Sequence, residues 1–387
     1  MFLKAFHHSV PKKNLTEAER LDWIRLFRTE NVGPITFFDL ISTYGSAKVA
    51  IEKIPSLSIR GGAKKPLKVP SVDTAHQEVE KIRKKGGEII ALVEENYPDI
   101  LTTLPDAPPL LSVLGNKKCF QQKTLGIVGA RNASLNGRRF AESLAKSLGE
   151  EGFVIASGFA RGIDREAHIG SLKTGTIAVL AGGIDIIYPK ENADLYQKIL
   201  DHDGLIIAEM PFSLIPQARH FPRRNRLISG LSQGVIVIEA ALHSGSLITA
   251  RTAAEQGRDV FSVPGFPLDP RAQGSNRLIK DGAILVQTAQ DVLDAYTHKL
   301  LLRVEDSSVP YQHAQMPAFS ETELDKVRIQ VIECLSPTPT PVDEIIRQCQ
   351  IGGPAILVVL LELELAGRIQ RHAGNQVSLV FSQNASA

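Results

Sequence analysis

Residues 234–265 read GVIVIEAALHSGSLITARTAAEQGRDVFSVPG. A run rich in Ile and Val (234–240) ends in a turn carrying Ser244, Gly245 and Ser246. The helix-like stretch LITARTAAEQG follows, and a second apolar run, DVFSVPG (259–265), closes the unit. Strand, crossover helix, strand is the pattern of neighbouring parallel strands. Both runs are apolar on both faces, as suits strands covered by helices on each side of a sheet.

The same rhythm extends upstream. EIIALV (88–93), TLGIVGA (124–130), GFVIASG (152–158), GTIAVLAGG (175–183) and GLIIAEM (204–210) are further short apolar runs, the later ones preceded by helical stretches. The expected fold is α/β, with a Rossmann-like, doubly wound, mostly parallel sheet over residues 73–298. Residues 14–55 look helical, with Asn14 or Thr16 as a cap, and form a small N-terminal all-α domain. Residues 56–72 hold Gly61, Gly62, Pro66, Pro70 and four basic side chains and read as a linker. Residues 299–318 lose periodicity and read as a second linker. The tail, 319–382, reads as helices 321–335, 342–349 and 354–366 followed by the Gly-turn hairpin RIQRHAGNQVSLV, a winged-helix pattern.

Composition removes several classes. The 387 residues are 43% hydrophobic and 22% charged, and 44 Lys and Arg stand against 42 Asp and Glu, a net charge of +2. That balance excludes a histone-like polycation but leaves room for a local basic patch. No apolar run is long enough to span a membrane. The N-terminus has no long apolar segment of the secretory kind. Three scattered cysteines, Cys119, Cys334 and Cys349, are too few for a disulfide framework or a Cys-rich zinc site, so a reducing cytoplasm is expected. G-x-G-x-x-G, the P-loop and H-E-x-x-H are all missing. No cofactor, catalytic residue or metal site is therefore expected.

Ligands of open parallel sheets bind beyond the carboxyl ends of the strands. Three turns there combine Gly, Ser or Arg with a helix N-terminus, which favours an anion. They are Arg131–Ser134, the stretch from Ser157 and Gly158 through Phe159 and Arg161 to Asp164, and Ser244–Ser246. The sharpest segment is RHFPRRNR (219–226), read as a basic loop leading into a core strand, whose arginines Arg219, Arg223, Arg224 and Arg226 offer planar forks suited to phosphate oxygens. Phe159 and Phe221 are candidate base-stacking residues; Tyr188, Phe212 and Phe266 lie in or near the same loops.

These residues resemble the DprA/Smf family of bacterial DNA-processing proteins. The resemblance rests on VGAR (128–131), SGFARGIDREAH (157–168), GTIAVLAGGIDIIYPKEN (175–192), FPRRNRLISGLS (221–232), residues 239–265 and GSNRLIKDGA (274–283). The N-terminal piece resembles that family's sterile-alpha-motif-like or helix–hairpin–helix module, and the tail its winged-helix module. The resemblance implies a cytoplasmic protein that binds single-stranded DNA, protects incoming DNA in natural transformation, loads RecA recombinase, forms a homodimer and has no catalytic turnover. It also implies that Arg131, Lys190 and residues 223–226 line a basic pocket, with Ser157, Gly158, Ser244, Gly245 and Ser246 as main-chain contacts.

Two features bear on the flanking modules. The third tail helix, PAILVVLLELELA (354–366), has no Lys or Arg and carries Glu362 and Glu364, so DNA would repel it. In Asn31-Val32-Gly33-Pro34 a single glycine and a proline leave few amides for phosphate, and a scaffolding role is expected. Two rival functions compete with this one. One is a phosphoribohydrolase of the lysine-decarboxylase-like type, whose Glu after the Gly-rich turn is missing here, Glu239 being the nearest preceding acid. The other is a scaffold that binds only a small nucleotide.

Overall fold

The computed structural model describes residues 12–302, 321–372 and 374–380. These fall into two compact units: residues 15–76 together with those from 321 onward, and residues 77–302 with 12–14.

The first unit opens with three helices, α1 (Glu17–Phe27), α2 (Pro34–Tyr44) and α3 (Ala47–Arg60). Thr16 caps α1: its hydroxyl accepts from the Glu19 amide while the Glu19 carboxylate accepts from the Thr16 amide. Pro34 sits in the first turn of α2, where its missing N–H costs nothing. Trp23, Phe27, Phe37 and Phe38 meet edge to face as the core of the three helices. Helix α3 corrects one expectation. It runs on to Arg60, into the stretch read as a linker, because Leu57 and Ser58 are buried and Pro55 is tolerated within it.

The second unit is the α/β domain. Its elements are α4 (Val72–Lys84), β1 (Glu88–Ala91), α5 (Asp99–Thr102), β2 (Leu110–Gly115), β3 (Thr124–Gly129), α6 (Leu135–Glu150), β4 (Val154–Ser157), α7 (Ile163–Ser171), β5 (Thr176–Leu180), α8 (Ala193–Asp201), β6 (Leu205–Ala208), α9 (His220–Leu231), β7 (Gly234–Ile238), α10 (Gly245–Glu255), β8 (Asp259–Ser262), α11 (Gln273–Lys280), β9 (Ile284–Leu285) and α12 (Ala289–Leu302). The nine strands lie in the order β1-β2-β6-β5-β4-β3-β7-β8-β9. From β6 to β9 every pairing is parallel; β2 joins β6, and β1 joins β2, antiparallel. Winding proceeds one way from β3 through β4 to β6, and the other way from β7 to β9. The switch point therefore lies between β3 and β7.

Leu125, Ile127, Ile155, Ile236, Ile238 and Phe261 pack with Leu144 and Leu148 of α6 on one face of this sheet. Each such buried side chain contributes about 2 kcal/mol relative to exposure. Two strands of this sheet carry no signal in the sequence, and neither does β10 (Thr340–Pro341) of the tail. β2 lies behind Pro108-Pro109, and β9 is two residues long, too short for periodicity to register. Residues 299–302 of the second expected linker belong to α12; 303–318 lie outside the described residues.

The tail folds as α13 (Glu321–Cys334), β10 (Thr340–Pro341), α14 (Val342–Cys349), α15 (Gly353–Leu365), β11 (Ile369–His372) and β12 (Gln376–Leu379), with an antiparallel sheet ordered β10-β12-β11. This is a winged helix. Ile356, Val359, Leu360 and Leu363 of α15 pack with Val331, Ile345 and Val377. Among the described residues no helix is long and apolar enough to cross a membrane.

Candidate nucleic-acid interface

The loops after β3, β4, β5 and β6 meet beyond the carboxyl ends of the strands, on the β3 side of the switch point. Gly162 has φ +74°, and a Cβ there would overlap the carbonyls of Ala130 and Arg131. This close backbone approach lays the 159–162 loop on the turn carrying Arg131. Asn192 holds the loop from the other side, donating to Phe159 O at 2.9 Å and Ala160 O at 3.2 Å.

Phe221, in the first turn of α9, is half-buried at the centre of the cluster. The Arg131 guanidinium lies 5.1 Å from its ring centroid and that of Arg224 lies 6.0 Å away. The Tyr188 ring is 5.7 Å from Phe221 and is 51% exposed, a flat surface open to solvent. Lys190 follows at the start of a short 3-10 turn (Lys190–Asn192). Arg131, Arg161, Lys190 and Arg223 are exposed, and among the described residues none of the four forms an ion pair. Arg131 thus lies over the aromatic pair, Lys190 and Arg223 follow Tyr188 and Phe221 by two residues each, and Arg161 lies in the loop laid on the Arg131 turn, chemistry that suits a phosphate track with unpaired bases.

Several expected contacts are not there. RHFPRRNR is helical from His220 rather than a loop, so successive side chains diverge by about 100°. Arg223 faces solvent while Arg224 and Arg226 are buried. Arg226 is bound to the Glu209 carboxylate and lies 3.4 Å from Asp106. It is a structural cation, not a DNA contact. Arg224 donates to the carbonyls of Gly158 and Val179, and burial pushes its pKa down to about 10, against the pull of Asp164. It supports the floor beneath Phe221.

Phe159 is fully buried with φ +58°, against His168 and Tyr196, and cannot stack on a base. The Ser157 hydroxyl is spent on Ile127 O, and the Gly158 amide donates to Asp164 at 3.1 Å. The Asp164 carboxylate also takes the Ala160 amide at 3.3 Å, so this turn already holds an anion of its own.

The turn before α6 is filled in the same way. Glu239, at φ +51°, accepts from the Ser134 amide at 2.8 Å and from the Ser134 hydroxyl. Of the three expected anion turns only Ser244–Ser246 holds no internal carboxylate. There the Ser244 hydroxyl accepts from the Ser246 amide, Ser246 is buried, Gly245 is exposed, and Asn225 reaches Gly245 O at 3.4 Å. Tyr188 and Asn192 join the cluster without having been assigned from the sequence. Both lie in the GTIAVLAGGIDIIYPKEN stretch, where Tyr188 stands out only as an aromatic near the loops. A cavity of about 600 Å³ opens at the opposite end of the sheet, beside Thr124 and Gln233, and takes no part in this cluster.

Beneath the site, His168 is fully buried. Thr176 donates to Ile155 O, so His168 Nδ1–H donates to Thr176 at 2.7 Å. Burial, helped by the Arg224 charge, lowers the imidazole from the usual 6.5 to about 3. Below pH 6.5 the unfolded chain takes up a proton that the folded chain refuses until about pH 3. This contribution to stability is complete above pH 6.5 and falls with decreasing pH by about 1.4 kcal/mol per unit. In urea titrations at pH 7, 6 and 5, His168→Asn is expected to flatten the pH dependence. An equal slope in variant and wild type would contradict the neutral buried imidazole.

The model of the family described as DNA recombination-mediator protein A matches residues 88–297. A DprA-like N-terminal HHH domain matches residues 17–80, and a DprA winged helix domain matches 315–375. Protein Smf of Escherichia coli is 39% identical over 295 residues, 75% of this chain and 77% of that protein. DNA processing protein DprA of Bacillus subtilis is 41% identical over 230 residues, covering 59% and 75%. Among solved structures, DNA processing protein A from Streptococcus pneumoniae superposes with a TM-score of 0.56 at 35% identity, covering 73% of this chain and 94% of that one. DNA processing protein A from Helicobacter pylori, whose structure was described for its single-stranded DNA binding mode, gives a TM-score of 0.50 at 29% identity, covering 55% and 96%.

Proposed function

Because this chain belongs to the DNA recombination-mediator protein A family, the DprA/Smf family, we propose that it binds single-stranded DNA at the switch point of its α/β domain. The observation that carries this is the Tyr188–Phe221 pair with Arg131 over the Phe221 ring, beside turns whose exposed Arg161, Lys190 and Arg223 form no ion pair among the described residues. Phosphates run along Arg131, Arg161, Lys190 and Arg223, and bases stack against Tyr188 and the exposed edge of Phe221. Such a grip is tolerant of sequence and sensitive to salt. The protein acts in the cytoplasm as a recombination mediator in natural transformation, and delivers the strand to RecA recombinase.

It does so as a homodimer. The edge strand β9 pairs, among the described residues, with β8 alone and carries the half-exposed Ile284 and Leu285, an edge that a second copy can extend. Binding proceeds without chemical turnover. A base-releasing hydrolase would want a free carboxylate near the Gly-rich turn, but Glu239 is engaged in capping α6.

Phe221→Ala is expected to leave the fold intact and to weaken oligo-dT binding by about 1–3 kcal/mol, the range for loss of one stacking platform. Fluorescence anisotropy with labelled oligonucleotides of increasing length measures this. Affinity that rises with length up to a site size supports a tracked strand. Equal affinity for a mononucleotide and a long oligonucleotide would favour the small-nucleotide scaffold instead.

A further inference from the structure

Helix α15 occupies the position from which a winged helix reads a DNA groove. Here that helix is covered. Glu362 is wholly buried; it accepts from Arg328 of α13 at 2.6 Å and lies 3.5 Å from Arg60 of α3. Glu364 accepts from Arg371 of β11 at 2.9 Å, and the same guanidinium donates to Asp39 of α2 at 3.1 Å. Asn31, from the turn before α2, donates to Leu365 O at 3.3 Å. Arg60 of the N-terminal helices thus reaches an acid of the winged helix, while Arg371 of the winged helix reaches an acid of the N-terminal helices.

We propose that α15 is a protein-docking surface rather than a DNA-reading helix, and that its occupant is the N-terminal helical module of the same chain, closing the two chain ends into a clasp. Three observations converge. Glu362 and Glu364 repel phosphate, whereas Glu362 matches Arg60 of α3 and Arg371, held by Glu364, matches Asp39 of α2. The pairs are reciprocal, so sliding one module on the other breaks both. Gly61 is the tightest point: a Cβ there would overlap Glu362 O and sit 2.9 Å from Ala366 Cβ, with every near atom belonging to the winged helix. A partner that opened the clasp would have to carry basic side chains within an apolar surface.

Gly61 also supplies the test. Its φ of −69° suits any residue, so Gly61→Leu wedges the clasp without straining α3. Carboxylates of the full chain are labelled with carbodiimide and glycinamide and followed by peptide mass spectrometry. In the wild type, Glu362 and Asp39 should react at least about tenfold more slowly than exposed Glu333. In Gly61→Leu both should approach the rate of Glu333, with unchanged circular dichroism. Should that variant misfold, Arg60→Glu, which sets like charge against Glu362, serves instead. Duplex DNA affinity should not rise in the opened protein. The clasp is overturned if wild-type Glu362 reacts as fast as Glu333, or if a folded wedge variant keeps it protected. It is also overturned if protection falls on dilution, which would make the contact one between copies. A rise in duplex affinity on opening would make α15 a hidden DNA reader and overturn the docking assignment.

Discussion

Alanine at Arg131, Arg161, Lys190 and Arg223 together is expected to reduce single-stranded DNA affinity several hundredfold at 0.1 M salt. All four side chains are exposed and, among the described residues, form no ion pair, so their removal leaves no buried partner stranded. Each phosphate contact on a single strand contributes about 0.7 to the slope of log K against log salt. Four contacts make about 2.8, so the salt dependence of the variant should be flatter by that amount. Referred to 1 M salt, where the counterion term vanishes, the same slope gives the several hundredfold loss at 0.1 M. Anisotropy titrations from 50 to 400 mM salt, with thermal melts to check folding, measure both quantities. A folded quadruple variant with wild-type affinity and slope would move the interface elsewhere.

Arg226→Ala should act on stability instead. Glu209 is 3% exposed, and its charge is balanced by the Arg226 guanidinium, which also serves Asp106. Truncating one partner of a buried pair leaves an uncompensated charge and costs about 3–5 kcal/mol. That is a large part of the stability of an ordinary domain. The double variant Arg226→Met/Glu209→Gln should recover much of the loss, because the buried carboxylate is then neutral; a double-mutant cycle by urea denaturation isolates the coupling. DNA affinity of the folded fraction should stay close to wild type. If Arg226→Ala melted like the wild type but released DNA, Arg226 would be a direct contact after all. By the same reasoning, alanine at Arg223, Arg224 and Arg226 together would confound an interface effect with unfolding.

Much of this protein was legible in its residues. Apolar runs of strand length separated by helical stretches are local properties, so the parallel sheet and the winged-helix tail could be read directly. Arg131, Arg161, Phe221 and Arg223 are marked by their positions beyond strand ends, and Lys190 by the family resemblance alone. What stayed hidden was which way each polar side chain points. Arg223, Arg224 and Arg226 look alike in a one-dimensional run, yet a helix fans them apart, and their fates depend on partners far off in the chain. The Glu209 that claims Arg226 is 17 residues away and the Asp106 carbonyl 120; the Glu239 that fills the turn at Ser134 is 105 away. Burial of Phe159 likewise follows from its left-handed backbone and from Tyr196 arriving on another helix. Periodicity is carried by neighbours in sequence, whereas charge compensation and burial are carried by neighbours in space, and the second kind of neighbour exists only once the chain has folded.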